Sequence, residues 1–183
     1  MRLETERLIL RDWEERDIAD LVEGLGSLQV SRWLAYVPHP YTRQHAQRWV
    51  EYCSGLLQEP RAAYEFAIEC KAEGKAIGGV TLDRVNRSHG TAGGGIWVNP
   101  RYHGHGYGTE AFGRRIEFAF AQLGLRRLEN GYFPGNPTSF AMQRKFGYQV
   151  EGLRRKAIRC LADGELKDEY ITALLIEDWV KGS

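Results

Sequence analysis

Residues 100–111 of the 183-residue chain read Pro-Arg-Tyr-His-Gly-His-Gly-Tyr-Gly-Thr-Glu-Ala, and they constrain the fold more than any other stretch. Glycines stand at 104, 106 and 108, after a short apolar run (Ile96, Trp97, Val98) and before a helical pattern in Phe112, Ile116, Ala119, Phe120 and Leu123. A strand, a glycine-rich turn and a helix start are therefore expected in immediate succession. Glycine permits positive φ and close backbone approach, and the first N–H groups of the helix point into the turn with the positive end of the dipole behind them. Such a turn is either an ordinary flexible connection or an anion site, and phosphate is the anion it suits best. The glycine spacing does not fit a dinucleotide fingerprint, and no Lys-Ser or Lys-Thr follows the last glycine, which excludes the nucleoside triphosphate loop.

The remaining chain supplies a mixed pattern. Leu8, Ile9 and Leu10 read as a strand, and Ile18, Leu21, Val22 and Leu25 as one helical face stopped by Gly24 and Gly26. Pro38 and Pro40 break the aromatic stretch of Trp33, Tyr36 and Tyr41, and Thr42 is a good N-cap for a second helix carrying Ala46, Trp49, Val50, Cys53 and Leu57. Tyr64, Phe66, Ile68 and Cys70 alternate as a half-buried strand should, and Glu73-Gly74-Lys75 turns into a second strand around residues 77–82. Glycines 93–95 begin a third strand, and glycine inside a strand marks either a bulge or a close backbone approach. After the glycine turn and its helix, residues 127–133 read as a strand, Asn136-Pro137 as a helix start and Gly147 as its stop. Two closing strands, near 148–160 and 166–176, meet at Ala162-Asp163-Gly164.

Twenty-five basic against 24 acidic residues leave a net charge of +1, and no run concentrates it, which argues against a nucleic-acid surface. Cys53, Cys70 and Cys160 are odd in number and widely spaced, as reduced structural thiols are. The charged opening residues lack an apolar signal core, and no run approaches the ~20 apolar residues of a membrane span, so a soluble, unprocessed cytoplasmic protein of one domain (1–183) is expected. His103 and His105 have no third ligand at a recognisable spacing, so no metal site is expected.

In order and spacing these motifs resemble the GNAT superfamily of N-acetyltransferases, and within it the RimJ/RimL-like group. The resemblance covers essentially the whole chain. Its carriers are Thr5-Glu6-Arg7-Leu8-Ile9-Leu10-Arg11, Pro40-Tyr41-Thr42 with Trp49, Ile77-Gly78-Gly79, Trp97-Val98-Asn99-Pro100 with Gly106-Tyr107-Gly108-Thr109-Glu110-Ala111, Asn136 with Ser139, Lys145-Phe146-Gly147-Tyr148, and Asp168-Glu169-Tyr170. The resemblance implies an α/β GNAT fold: a mixed, mostly antiparallel sheet of about seven strands, four flanking helices, and a V-shaped splay between the fourth and fifth strands. It implies acetyl-CoA as cosubstrate, with the pantetheine arm along Ile96, Trp97 and Val98, the pyrophosphate on the N–H groups of His103, Gly104, His105, Gly106, Tyr107, Gly108 and Thr109, and Asn136 and Ser139 beside the arm and its sulfur. His103 stands where the family pattern has Arg or Gln.

The implied reaction is direct attack of a primary amine on the thioester, with a protein or peptide N-terminal α-amine as favoured acceptor and an amino acid, polyamine or drug amine as the alternative. Gln143 occupies the place of a tyrosine acid common in the superfamily, and Ser139 is the expected replacement. Gly93 and Gly94 occupy the place of a frequent glutamate base. Glu129, Glu110, Asp168 or a held water remain as candidates, with Glu129 named first. Those two departures also motivate the reading of a catalytically weak acyl-CoA-binding module. Trp33, Tyr36 and Tyr170 are expected to wall the acceptor site, and members of the group often form homodimers.

Overall fold

The computed structural model describes residues 1–179. Its strands are β1 (Arg2–Glu4), β2 (Leu8–Asp12), β3 (Tyr64–Cys70), β4 (Lys75–Asn86), β5 (Thr91–Gly93), β6 (Ile96–Val98), β7 (Arg127–Tyr132), β8 (Gln149–Arg159) and β9 (Leu166–Leu175). The α-helices are α1 (Ile18–Leu25), α2 (Leu28–Ser31), α3 (Arg43–Gly55), α4 (Tyr107–Glu117) and α5 (Pro137–Lys145), and α4 runs on into a π-helical turn, Phe118–Gln122. The sheet order is β1-β2-β3-β4-β5-β7-β9-β8, with β6 also on β4. Every pairing is antiparallel except β5 with β7.

The fold is the mixed α/β arrangement expected, with finer subdivision. Among the described residues nine strands replace about seven, because Leu3 alone of β1 is buried and gives no alternation to read, and because Gly94-Gly95 splits one strand into β5 and β6. The additional helix, α2, is a single turn of 4 residues, too short to show a period. Among the described residues no helix is long and apolar enough to cross a membrane.

β5 meets β7 only at Thr91↔Arg127 and Ala92↔Leu128, and β6 pairs only with β4. The sheet therefore splays between β6 and the second half of β7. Gly94 causes this: its φ is +146°, a conformation L side chains rarely adopt. The Thr81 N–H still donates to Gly95 O at 2.9 Å, but the Thr81 carbonyl accepts from Arg115 Nη1 at 3.0 Å. Arg115 is fully buried, with Nη2 donating to the Tyr148 hydroxyl at 2.9 Å and its guanidinium 4.5 Å from the Phe112 ring centroid. A side chain from α4 thus takes an acceptor that the bulge removes from the ladder.

Side-chain alternation divides the core in two. Tyr64, Phe66, Ile68, Val80 and Leu82 pack with Phe112, Ile116 and Phe118 below α4. Ala67 on the other face packs with Trp13, Leu21, Val50 and Cys53, below α1 and α3. α1 is seated by Arg11, 5% exposed, whose guanidinium donates to Asp17 (2.7 and 2.8 Å) and to Glu69 (2.6 Å). Burial opposes that charge, yet the bonds to the two carboxylates hold it above its ordinary pKa. α3 starts with reciprocal caps: Thr42 Oγ1 accepts from the His45 N–H at 3.4 Å, and His45 Nδ1 accepts from the Thr42 N–H at 3.1 Å. Thr42→Ala is expected to lower unfolding free energy by about 1 kcal/mol in urea titrations, with the transition slope unchanged.

Candidate active site

The segment after β6 makes one 3₁₀ turn, Pro100–Tyr102, in which Asn99 Oδ1 accepts from the Arg101 N–H at 3.1 Å. Gly104 and Gly106 follow, both at φ +80°, and α4 begins at Tyr107 with no side chain capping its first N–H groups. A Cβ added at Gly104 would meet nothing within 4 Å, so a ligand can reach the backbone of this turn. The outside of the turn is clamped by the hairpin joining β1 to β2. Arg7 Nη1 donates to His105 O (2.9 Å), its guanidinium lies 4.6 Å from the Tyr107 ring centroid, and its Nε donates to Glu110 (2.7 Å). Thr5 Oγ1 also donates to Glu110, at 2.6 Å. Burial raises the Glu110 pKa, but these bonds outweigh it and hold the carboxyl below its ordinary value. Glu110 is a clamp residue in this structure.

Strand geometry decides which backbone groups of β6 are open. The Asn99 N–H donates to Ile77 O at 2.8 Å and the Thr81 N–H to Gly95 O, so residues 95, 97 and 99 turn their main-chain groups toward β4. The N–H and C=O groups of Ile96 and Val98 alternate to the splay, whereas those of Trp97 do not. Trp97 instead sends its ring below α1, stacked on Trp13 at a 6.4 Å centroid distance and against Gly24, where a Cβ would lie 2.5 Å from the indole. The Val98 carbonyl contacts His103 Nε2 at 2.8 Å. His103 thus reaches back to the end of the strand while its side chain stays exposed.

Across the splay, Asn136 caps α5, its Oδ1 accepting from the Ser139 N–H at 3.3 Å. Gln143 Nε2 donates to Ser139 Oγ at 3.2 Å, and Thr172 Oγ1 donates to Gln143 Oε1 at 2.6 Å. Gln143 and Thr172 are both fully buried. The Gln143 donor fills an acceptor site on the serine oxygen and leaves the serine's own proton free for another partner. The sequence marks Gln143 only as a missing tyrosine; its hydrogen bonds show it orienting Ser139.

The three expected acceptor-site walls separate. Trp33 approaches the loop that leads into α5, where a Cβ on Gly135 would lie 3.6 Å from its ring. Its segment is strapped to the closing hairpin: Lys167 Nζ donates to Arg32 O at 2.9 Å and the Leu161 N–H to Ala35 O at 3.1 Å. Tyr36 in the same segment is 78% exposed. Tyr170 stacks on Tyr132 (5.1 Å), which stacks on Phe140 of α5 (5.0 Å), so Tyr170 packs on the α5 side of the sheet.

The candidate bases are also engaged. Glu129 is ion-paired with Arg127 at 3.1 Å, and Asp168 accepts from the Lys156 N–H at 2.7 Å. Glu65, which the sequence reading passed over, is a carboxyl inside a strand of buried neighbours; its only hydrogen-bond donor among the described residues is Thr81 Oγ1, at 2.6 Å. Nothing in the sequence separates it from Glu69, four residues on in β3; the arrival of Arg11 at Glu69 does.

A strand edge left open within a sheet, running into exposed turn amides at a helix start, can pair with an extended ligand that carries an anionic group. Residues 7–149 match the family model described as the acetyltransferase (GNAT) domain, and the chain belongs to that family of N-acetyltransferases. The uncharacterized N-acetyltransferase YnaD of Bacillus subtilis is 29% identical over 182 residues, 98% of this chain and 99% of the relative. The L-amino acid N-acetyltransferase AaaT of Escherichia coli is 26% identical, covering 91% and 96%. Among solved structures, Mycobacterium smegmatis RimJ in complex with CoA-disulfide superposes with a TM-score of 0.80 at 26% identity, over 93% of this chain and 82% of that one.

Proposed function

We propose that this enzyme acetylates the α-amine of a protein or peptide N-terminus, with acetyl-CoA as donor. The open edge of β6, continuous with the glycine turn, carries this reading. The pantetheine arm would pair with main-chain groups of Ile96 and Val98. A carbonyl oxygen has two acceptor sites, so the His103 contact leaves one on Val98 O. The N–H groups of residues 103–109 would hold the pyrophosphate, and Asn136 would flank the arm.

The amine nitrogen attacks the thioester carbonyl carbon, a β6 N–H facing the splay stabilises the oxyanion, and the C–S bond then breaks. Ser139 Oγ–H donates its proton to the departing thiolate. The splay supplies a fixed approach of amine to thioester, which is a large part of the rate in such transfers. Glu129 lies just past the point where β5 and β7 part, with its carboxylate paired to Arg127.

An α-amine, with a pKa near ~8, is partly neutral at physiological pH, whereas an alkyl amine near ~10.4 is not. The RimJ/RimL resemblance favours a chain terminus. The relative named for L-amino acids carries the same α-amine on a free amino acid, which is the alternative acceptor.

Saturating CoA is expected to raise Tm by about 5–10 °C. Thiol release from acetyl-CoA should then accelerate with peptides bearing a free N-terminus and not with their N-acetylated forms. A thermal shift with inorganic pyrophosphate but none with CoA would remove the donor assignment. Acceleration by free amino acids or spermidine alone would replace the acceptor.

A further inference from the structure

Three strands bring Glu65, Thr81 and Gly95 into one row. Glu65 pairs with Thr81, and the Thr81 N–H donates to Gly95 O at 2.9 Å. The adjoining row is Ala67, Gly79 and Trp97, so all of these positions face the side of the sheet that bears α1 and α3. Those helices bury Ala67 and pack on Trp97, but Glu65, Thr81 and Gly95 are each only half-buried. A Cβ on Gly95 would meet nothing within 4 Å. The row therefore ends in open space beside the unpaired edge of β6.

No Lys or Arg of the described residues forms an ion pair with Glu65. The groups facing it are Thr81 and Asp83 from β4 and Tyr52 and Cys53 from α3. The other carboxylates considered are committed: Glu110 to Thr5 and Arg7, Glu129 to Arg127, and Asp168 to the Lys156 N–H. We propose that Glu65 is the proton acceptor for the incoming ammonium group, acting directly or through one water in the space above Gly95. The inference rests on the reading that the thioester lies along the open edge of β6. Burial, with Asp83 adding to it, pushes the Glu65 carboxyl up to about 7, so near neutral pH it both accepts and releases protons. In the balanced step, the Glu65 carboxylate takes one proton from the ammonium group and returns it to solvent. The proton that nitrogen loses as the C–N bond forms replaces the one Ser139 gives to sulfur.

The test compares wild type, Glu65→Gln and Glu65→Asp with two acceptors: a peptide with a free N-terminal alanine and a hydrazide, whose terminal nitrogen is already neutral at neutral pH. Glu65→Gln should lower kcat with the peptide about 100-fold, leave the acetyl-CoA KM within a factor of about 2, and lose much less with the hydrazide. Glu65→Asp should recover part of the peptide rate. Equal losses with both acceptors, or an unchanged peptide rate in Glu65→Gln, overturn the assignment. Wild type inactive with both acceptors overturns the α-amine acceptor and this role of Glu65 with it, and the donor reading falls only where CoA also gives no thermal shift; an active wild type with an unaffected Glu65→Gln removes Glu65 alone.

Urea titrations confirm folding. The folded-state pKa lies above the carboxylate's ordinary value, so ionising Glu65 costs wild type stability as pH rises through about 7. Glu65→Gln escapes that loss, and its midpoint should gain on wild type between about pH 5 and pH 8.

Discussion

Ser139→Ala is expected to lower kcat about 100-fold while CoA affinity changes by less than about threefold, because the role proposed for the hydroxyl is toward the departing sulfur and not toward the bound carrier. The stronger form of this prediction involves Gln143. Thr172 fixes the glutamine's carbonyl oxygen at 2.6 Å, which turns its NH₂ toward Ser139 Oγ at 3.2 Å. Gln143→Leu removes the donor that orients the hydroxyl, and about tenfold of kcat, or 1.4 kcal/mol, should go with it. In a Ser139→Ala background the same substitution should cost no further kcat. A role for Gln143 in folding alone would instead give losses that multiply. Stability is a separate readout: Gln143→Leu strands the buried Thr172 hydroxyl and should cost about 1–3 kcal/mol, and Thr172→Val in the same chain should restore part of that.

Gly94→Ala should destabilise the protein by about 3 kcal/mol or more and weaken CoA binding in whatever fraction folds. At φ +146° an alanine is strained before any contact is considered, and its Cβ would be driven into the Thr81 carbonyl oxygen, which is main chain and cannot swing aside. Arg115 Nη1 lies beside the same point, so relief in that direction breaks its bond to Thr81. Relaxing the bulge into regular pairing would straighten β5 and β6 into one strand and narrow the splay. Gly95→Ala is the control. Its Cβ would enter open space, and it should leave the unfolding midpoint nearly unchanged. A Gly94→Ala protein of wild-type stability would show that the splay does not depend on the bulge.

The sequence made the strands and the glycine turn legible because they depend on local chemistry: alternation in β3, glycines at 93–95, 104 and 106, and the Asn136-Pro137 helix start, whereas the splay itself was implied by the family resemblance. What it did not show was long-range pairing. Glu110 reads as a helix-dipole residue until Thr5 and Arg7 are found on it, 105 and 103 positions away in sequence. Glu65 and Glu69 look alike in β3, and only the arrival of Arg11 at one of them makes the other distinctive. Trp33 reaches the start of α5 whereas Tyr36, three residues on, points to solvent, because the strap from Lys167 and Leu161 fixes the path of that segment. No periodicity in residues 32–36 encodes that choice. The place of Tyr170 on a closing strand was legible, but the strand parity that sets its ring against Tyr132 on the α5 side was not.

A sheet with one strand edge left open in its middle carries a hazard that its function would not reveal. Open N–H and C=O groups on a strand are a template for other chains, and such edges promote misassembly. β6 limits this hazard by its dimensions. It offers only 3 residues, the neighbouring strand diverges so that no slab can slide in flush, and the imidazole of His103 contacts the last carbonyl and leaves it one acceptor site. An incoming β-strand from another molecule would need a longer and flatter frontage than this one. The geometry that admits one slender flexible chain thus also protects the molecule from its own copies during synthesis and at high concentration.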